Sequence, residues 1–160
     1  MTAATGCSGG SLGSAAAANA MLLSPAPCGG SVSAAGTTPA GAFEGTLVSA
    51  LYDGCGDAVE VLIGDASRGL VFTVSAPYHR TNDTIVPGDL AAMGELDRRQ
   101  PPAVVARPVG TLTVIAADFL PIDAPLAGQI QGTFQFTQDG FALSGTFSSP
   151  YCRHLTLCGD

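Results

Sequence analysis

The residues with chemistry to offer gather near one end of the chain. The stretch "YCRHLTLCGD" carries Cys152, His154 and Cys158. Thiolate and imidazole are preferred zinc ligands, and Cys55 or His79 would supply a fourth donor. Structural zinc sites pair their cysteines about two to four residues apart, however, and the gap between Cys152 and Cys158 is wider. A nucleophilic Cys152 would need a base and an oxyanion site. His154 follows two residues later, which in a strand puts both side chains on one face. No orienting carboxylate or glycine-rich oxyanion loop accompanies them. "LSGTFS" lacks the nucleophile-elbow pattern of a serine hydrolase. The spacing favours a disulfide role for the cysteines. The sequence therefore predicts no catalytic residue, no metal, no cofactor and no enzyme.

Two weaker groups remain. Asp53, Asp57 and Asp65 lie near successive turns, where carboxylates can gather a calcium ion. Their spacing is not that of a calcium loop, so they read as turn formers. The connection "APYHRTND" concentrates Tyr78, His79 and Arg80 with Asn82 and Asp83. Long loops on β scaffolds carry recognition, so Tyr78, His79 and Arg80 are the expected contact patch for a glycan or a protein. "NDT" at 82–84 also fits the N-glycosylation sequon.

What must position these residues follows from composition and pattern. The chain has 160 residues, 46% of them apolar, which suits one domain with a real core. It has no lysine, and its arginines are scattered under a net charge of −7. That excludes nucleic acid, which needs a clustered basic surface. It also excludes electrostatic docking on an anionic membrane. No apolar run is long enough for a spanning helix. Residues 1–41 are small and uncharged and predict a flexible Ala/Gly/Ser-rich tether, with a short helix open to "SAAAANAMLL". Residues 42–160 predict a single β domain.

Within that domain, short extended runs alternate with turn residues. Strands are expected over 43–52, 58–63 and 70–76, and again on both sides of Pro108, which suits an edge or a bulge. "GDLAAMGEL" predicts one helical turn capped by Asp89. The clearest signal comes last. Ile130, Phe134 and Phe136 alternate with Gln129, Gln131, Thr133 and Gln135, the period of a strand with one dry face. Asp139-Gly140 then marks a tight hairpin, and Phe141, Leu143 and Phe147 share a face on the return strand. The pattern predicts an all-β fold: an antiparallel sandwich of about six to eight strands, with a small up-and-down barrel as the alternative. In a barrel, Phe134, Phe136, Phe141 and Phe147 would line an apolar cavity for a small ligand.

The start of the chain carries one resemblance. In "TAATGCSGGS", Ala4-Thr5-Gly6-Cys7 resembles the cleavage region of bacterial lipoproteins, with Ala4 where that family usually has Leu. The resemblance implies lipidation of Cys7, a Gly/Ser tether from Ser8 to Gly13, and Met1 lying inside a longer reading frame that supplies the signal peptide. It implies an address in the bacterial cell envelope or outside the cell, as an outer-membrane or surface lipoprotein, or a periplasmic or secreted protein. With Cys7 lipidated, Cys28, Cys55, Cys152 and Cys158 form an even set that allows three pairings. Cys55–Cys152 with Cys28–Cys158 is the first choice, and Cys152–Cys158 with Cys28–Cys55 the second. The expected function is a non-catalytic, envelope- or surface-tethered module for binding or structural roles. An apolar-ligand carrier is the alternative, and a hydrolase using His79 or His154 the third.

Overall fold

The computed structural model describes residues 29–53, 58–77, 80–81, 84–118 and 128–154. The strands are β1 (Ser31–Thr38), β2 (Gly41–Gly45), β3 (Leu47–Asp53), β4 (Ala58–Asp65), β5 (Leu70–Pro77), β6 (Arg80–Thr81), β7 (Thr84–Ile85), β8 (Gly88–Arg99), β9 (Pro102–Ala106), β10 (Val109–Ala117), β11 (Gln129–Phe136) and β12 (Ala142–His154). Among the described residues there is no helix. The all-β expectation holds. Ten strands form one sheet, and β6 and β7 form a separate two-stranded ribbon.

The large sheet curls back on itself. Hydrogen bonding passes from β11 through β10, β8, β5, β4 and β3 to β12, and β12 pairs again with β11. The result is an almost closed, barrel-like sheet with opposed walls sharing a single core, consistent with either closure expected from the sequence, the sandwich or the barrel. The pairings are antiparallel except for β12 with β3, which is parallel. β12 makes this possible by its length. Its first half takes β1 on one side and β11 on the other, and its last residues take β3 on the side that β1 has left. At that handover Ser149 Oγ accepts the buried N–H of Ala50 at 3.2 Å.

The hairpin signal at Asp139-Gly140 is realised as read. Both residues have positive φ, 55° and 83°, and Phe141 N–H donates to the Gln138 carbonyl at 3.0 Å. That is a two-residue turn of the type whose twist matches its strands. Ile130, Phe134 and Phe136 are buried on one side of it, with Phe141, Leu143 and Phe147 on the other.

The core is built of rings over glycines. Phe72 meets Phe136, Phe141, Phe134 and Phe43 with centroids 4.9, 5.7, 6.3 and 6.4 Å away. Space for the rings comes from glycine on the facing strand. Phe134 lies opposite Gly145, and Gly132 lies opposite Phe147. A Cβ on Gly145 would come within 2.8 Å of the Phe134 ring, and one on Gly132 within 2.9 Å of the Phe147 ring. Gly94 seats the Phe72 ring and Gly110 the Phe136 ring in the same way.

Three expectations change. Residues 31–38, read from composition as part of the tether, form β1. Their small size has a packing cause, since β1 is wedged between β12 and β2. Ala34 is 4% exposed and sits so close to Gly45 and Gly145 that a Cβ on either would lie 3.0 or 2.7 Å from its own. The expected helical turn capped by Asp89 is instead β8. Leu90, Ala92 and Leu96 are buried while Ala91 and Met93 face outward, a period of two that sheet pairing enforces over local helix propensity. The expected strand over 43–52 is broken at Thr46, where β2 ends and β3 begins. The break at Pro108 occurs as expected, with β9 paired only to β8.

Candidate functional site

Of the residues singled out by type, Cys7, Cys28, Cys55, Cys158, Tyr78, His79 and Asp57 lie outside the described residues, as do the proposed cleavage region and "SAAAANAMLL". Arg80 is the first residue of β6, and Cys152 and His154 belong to β12. Cys152 stands where β12 shifts register between Tyr151 and Arg153. The fold thus places Cys152 and His154 at the seam with β3, in a strand and not in a loop.

Asp65 has a structural post. Its side chain is buried, 1% exposed. Oδ1 accepts from Ser67 Oγ at 2.6 Å and from Arg68 N–H at 3.1 Å, and Oδ2 accepts from Glu44 N–H at 3.0 Å. Burial pushes its pKa up, but the Ser67 hydroxyl, the N–H groups of Glu44 and Arg68 and the Arg68 charge together hold the carboxyl below its ordinary value. This arrangement satisfies the Asx-turn role of Asp65 and ties β2 to β4. Among the described residues no three His, Cys, Asp or Glu side chains gather as metal ligands would.

The surface feature with room for a partner lies elsewhere. An open groove of about 660 Å³ crosses the outer side of β8, β10 and β11. Met93 is directly opposite Val109, and Ala91 opposite Thr111, which faces Gln135 in turn. Pro77, Thr137 and Gln138 complete the rim, and no lining residue is charged. Met93 is 63% exposed and Val109 54%, so a paired apolar surface is open to solvent. Charged groups on the same face of β8 are engaged beyond the groove. Glu95 accepts from Arg107 Nε at 2.6 Å, an ion pair whose hydrogen bond and charge raise the Arg107 pKa. Asp89 accepts from Thr113 Oγ1 at 2.6 Å. The lining can offer methyl and thioether surface, hydroxyls and primary amides, which is the equipment for an uncharged ligand.

The sequence reading did not find this groove. Its signal was the alternation of Ala91 and Met93 with Leu90 and Ala92, which the helical reading of 88–96 concealed. The rings on which a carrier would depend lie against one another, with Phe134, Phe136 and Phe141 all around Phe72. No family model matches the chain, and neither a curated protein nor a solved structure matches it.

Proposed function

We propose that the chain is a non-catalytic binding or structural β module, tethered at a bacterial envelope or surface through Cys7. The observation that supports binding is the exposed Met93–Val109 pair in an open, uncharged groove. Apolar side chains flanked by hydroxyls and amides suit a neutral glycan or an uncharged stretch of protein. The methyl surface packs against a sugar face or an aliphatic side chain. The amides of Gln135 and Gln138 exchange hydrogen bonds with hydroxyl or peptide groups. A charged partner would lose hydration there without gaining a counter-charge. Tethering is supported by the resemblance of Ala4-Thr5-Gly6-Cys7 to a lipoprotein cleavage region.

Each half has its own test. Labelled palmitate fed to cells making the full-length gene product is expected to mark the protein through Cys7. Absence of a Cys7-dependent label removes the tether. For binding, ¹³C-methyl methionine gives three probes, Met1, Met21 and Met93. Titration with a tetrasaccharide of N-acetylglucosamine, with maltoheptaose and with an uncharged ten-residue peptide is expected to move the Met93 methyl with at least one of them. A Met93 resonance that stays put with all three contradicts the groove as the binding face.

A further inference from the structure

The sheet buries apolar side chains on its outer side as well as in its core. Along β4 and β5 the core takes Val61, Ile63, Leu70 and Phe72. Leu62 and Val71 alternate with these and so point away from it. Neither belongs to the core cluster, yet both are 0% exposed. Leu62 stands between Ser49 of β3 and Thr73 of β5, and those two are buried as well. Thr73 in turn pairs with Glu95 of β8. On that same outer face of β8, Met93 is 63% exposed. The outer wall is therefore open at β8 and covered over β4 and β5.

The cover is apolar where it meets β5. Thr73 Oγ1 is buried without a hydrogen-bond partner, so the surface lying on it offers no polar group. We propose that the cover is the N-terminal segment Ala20-Met21-Leu22-Leu23 of the same chain, seated on Leu62, Val71 and Thr73.

Position and length favour this occupant. The entry to β1 lies beside the covered wall, since a Cβ on Gly30 would be 2.7 Å from Val48 Cγ1, and Val48 adjoins Ser49. Gly29 has φ 78° with nothing crowding it, so the chain can turn there from the line of β1 onto the outer face. Leu23 is seven residues from Gly30, a reach of up to about 23 Å, whereas β3 to β5 is about 10 Å across. Residues 1–28 carry no charged side chain, and Met21, Leu22 and Leu23 are their one run of large apolar residues. Other segments are worse suited. β12 passes Ala50 at Tyr151 and runs parallel to β3 as far as Tyr52, so residues 155–160 follow a strand that has already passed Ser49. Residues 119–127 depart from β10, which β8 and β5 separate from β4. Asp118 N–H, bonded to the Gln129 carbonyl at 2.9 Å, closes their base there. Residues 54–57 hold no large apolar side chain.

The covered wall lies across the core from the groove. Around the closed sheet, β4 is three strands from β10 one way and three from β11 the other. A segment seated there leaves the Met93–Val109 surface open. With Cys7 lipidated it also shortens the free tether to residues 8–19. That consequence rests on the proposed anchoring, whereas the docking does not.

The test is nuclear magnetic resonance on the full chain with ¹³C-methyl labels on Met, Leu and Val. Through-space contacts are expected to link Met21, Leu22 or Leu23 to Leu62 and Val71. Contacts from Leu62 and Val71 to Leu155 or Leu157, or to Leu120 or Leu126, overturn the proposal, and so does the lack of any contact with the N-terminal segment. A second measurement uses the full chain carrying Met21→Ser, Leu22→Ser and Leu23→Ser. A soluble nitroxide is expected to broaden the Leu62 and Val71 methyls severalfold more in this variant than in the parent, while Leu112 in the core and Met93 in the groove keep their parent behaviour. Unchanged broadening at Leu62 and Val71 overturns the proposal, and a displaced Met93 resonance overturns it by placing the segment over the groove. If the contacts are found but the palmitate label is missing, the docking stands and the anchor fails.

Discussion

Asp65 Oδ2 accepts the backbone N–H of Glu44 at 3.0 Å across the bend between β2 and β3. Two residues along, at the break between the two strands, Thr46 N–H donates to the Gly64 carbonyl at 2.9 Å. At Glu44 the carboxylate takes over the acceptor's place. Its other oxygen holds Ser67 and Arg68 in the turn before β5. One buried side chain therefore ties β2 to the end of β4 and to the turn that leads into β5.

Replacing Asp65 by Ala removes an ionised acceptor from three donors. Hydrogen bonds to charged groups contribute about 1.5–3 kcal/mol each in isolation but overlap when shared. A net loss of about 2–4 kcal/mol is expected. Urea unfolding would report it as a lower midpoint at unchanged slope. A loss below about 0.5 kcal/mol would show that β2 is held by its ladder with β1 alone.

The same carboxylate makes stability depend on pH. Its pKa in the fold lies below the ordinary 3.8, which the unfolded chain keeps. The unfolded state therefore binds more protons in acid. The contribution is complete above the unfolded value and is lost as pH falls below 3.8 through the folded one. Subtracting the acid unfolding curve of Asp65→Asn from that of the parent chain is expected to leave a difference that is constant near neutrality and shrinks below pH 4. A difference that grows on acidification would contradict the assignment.

The ring-over-glycine core predicts asymmetric tolerance. Gly145→Ala puts a methyl 2.7 Å from Ala34 Cβ and 2.8 Å from the Phe134 ring. Overpacking of this kind costs about 1–3 kcal/mol. Adding Phe134→Leu frees part of the space, so the double variant is expected to be more stable than the two separate losses would sum to, by about 0.5 kcal/mol or more. Strict additivity in a double-mutant cycle would mean that the ring and the glycine do not compete for the same volume.

The parallel seam rests partly on Ser149. Ser149→Ala takes the acceptor from the Ala50 N–H inside the wall. Leaving a buried donor without its partner costs about 1–3 kcal/mol. Hydrogen exchange at Ala50 is the local readout, and faster exchange there than at Val61 is expected. Equal protection at both amides would show that the seam does not depend on the hydroxyl.

Legibility in the sequence followed water. β11 and β12 were readable because each has one wet face, so Gln129, Gln131 and Gln135 mark the alternation. Asp139-Gly140 was readable because few residue pairs fit both of its φ angles. β1 was hidden because close approach to its neighbours demands small residues, and small residues look like a linker. β8 was hidden because Ala91, Ala92 and Met93 favour helix locally, while the partners that enforce a strand lie in β5 and β10. Of the groove, only the β8 alternation was present in the sequence. Met93, Val109 and Gln135 are far apart in the chain and meet only through the order of β8, β10 and β11. The cysteine and Tyr78–Arg80 patches were chosen by residue type, and type alone does not reveal what surrounds a side chain.

The most direct test of the binding face is to charge it without touching the core. Met93→Lys with Val109→Lys alters two residues that are more than half exposed, so even with like charges opposed across the strands the unfolding free energy is expected to stay within about 1 kcal/mol of the parent chain. The oligosaccharide or peptide that moves the Met93 methyl is then titrated against both proteins by calorimetry. The account predicts that affinity for the double variant falls at least tenfold while the protein stays folded. Equal affinity for the two proteins would contradict it and place the binding face elsewhere on the barrel.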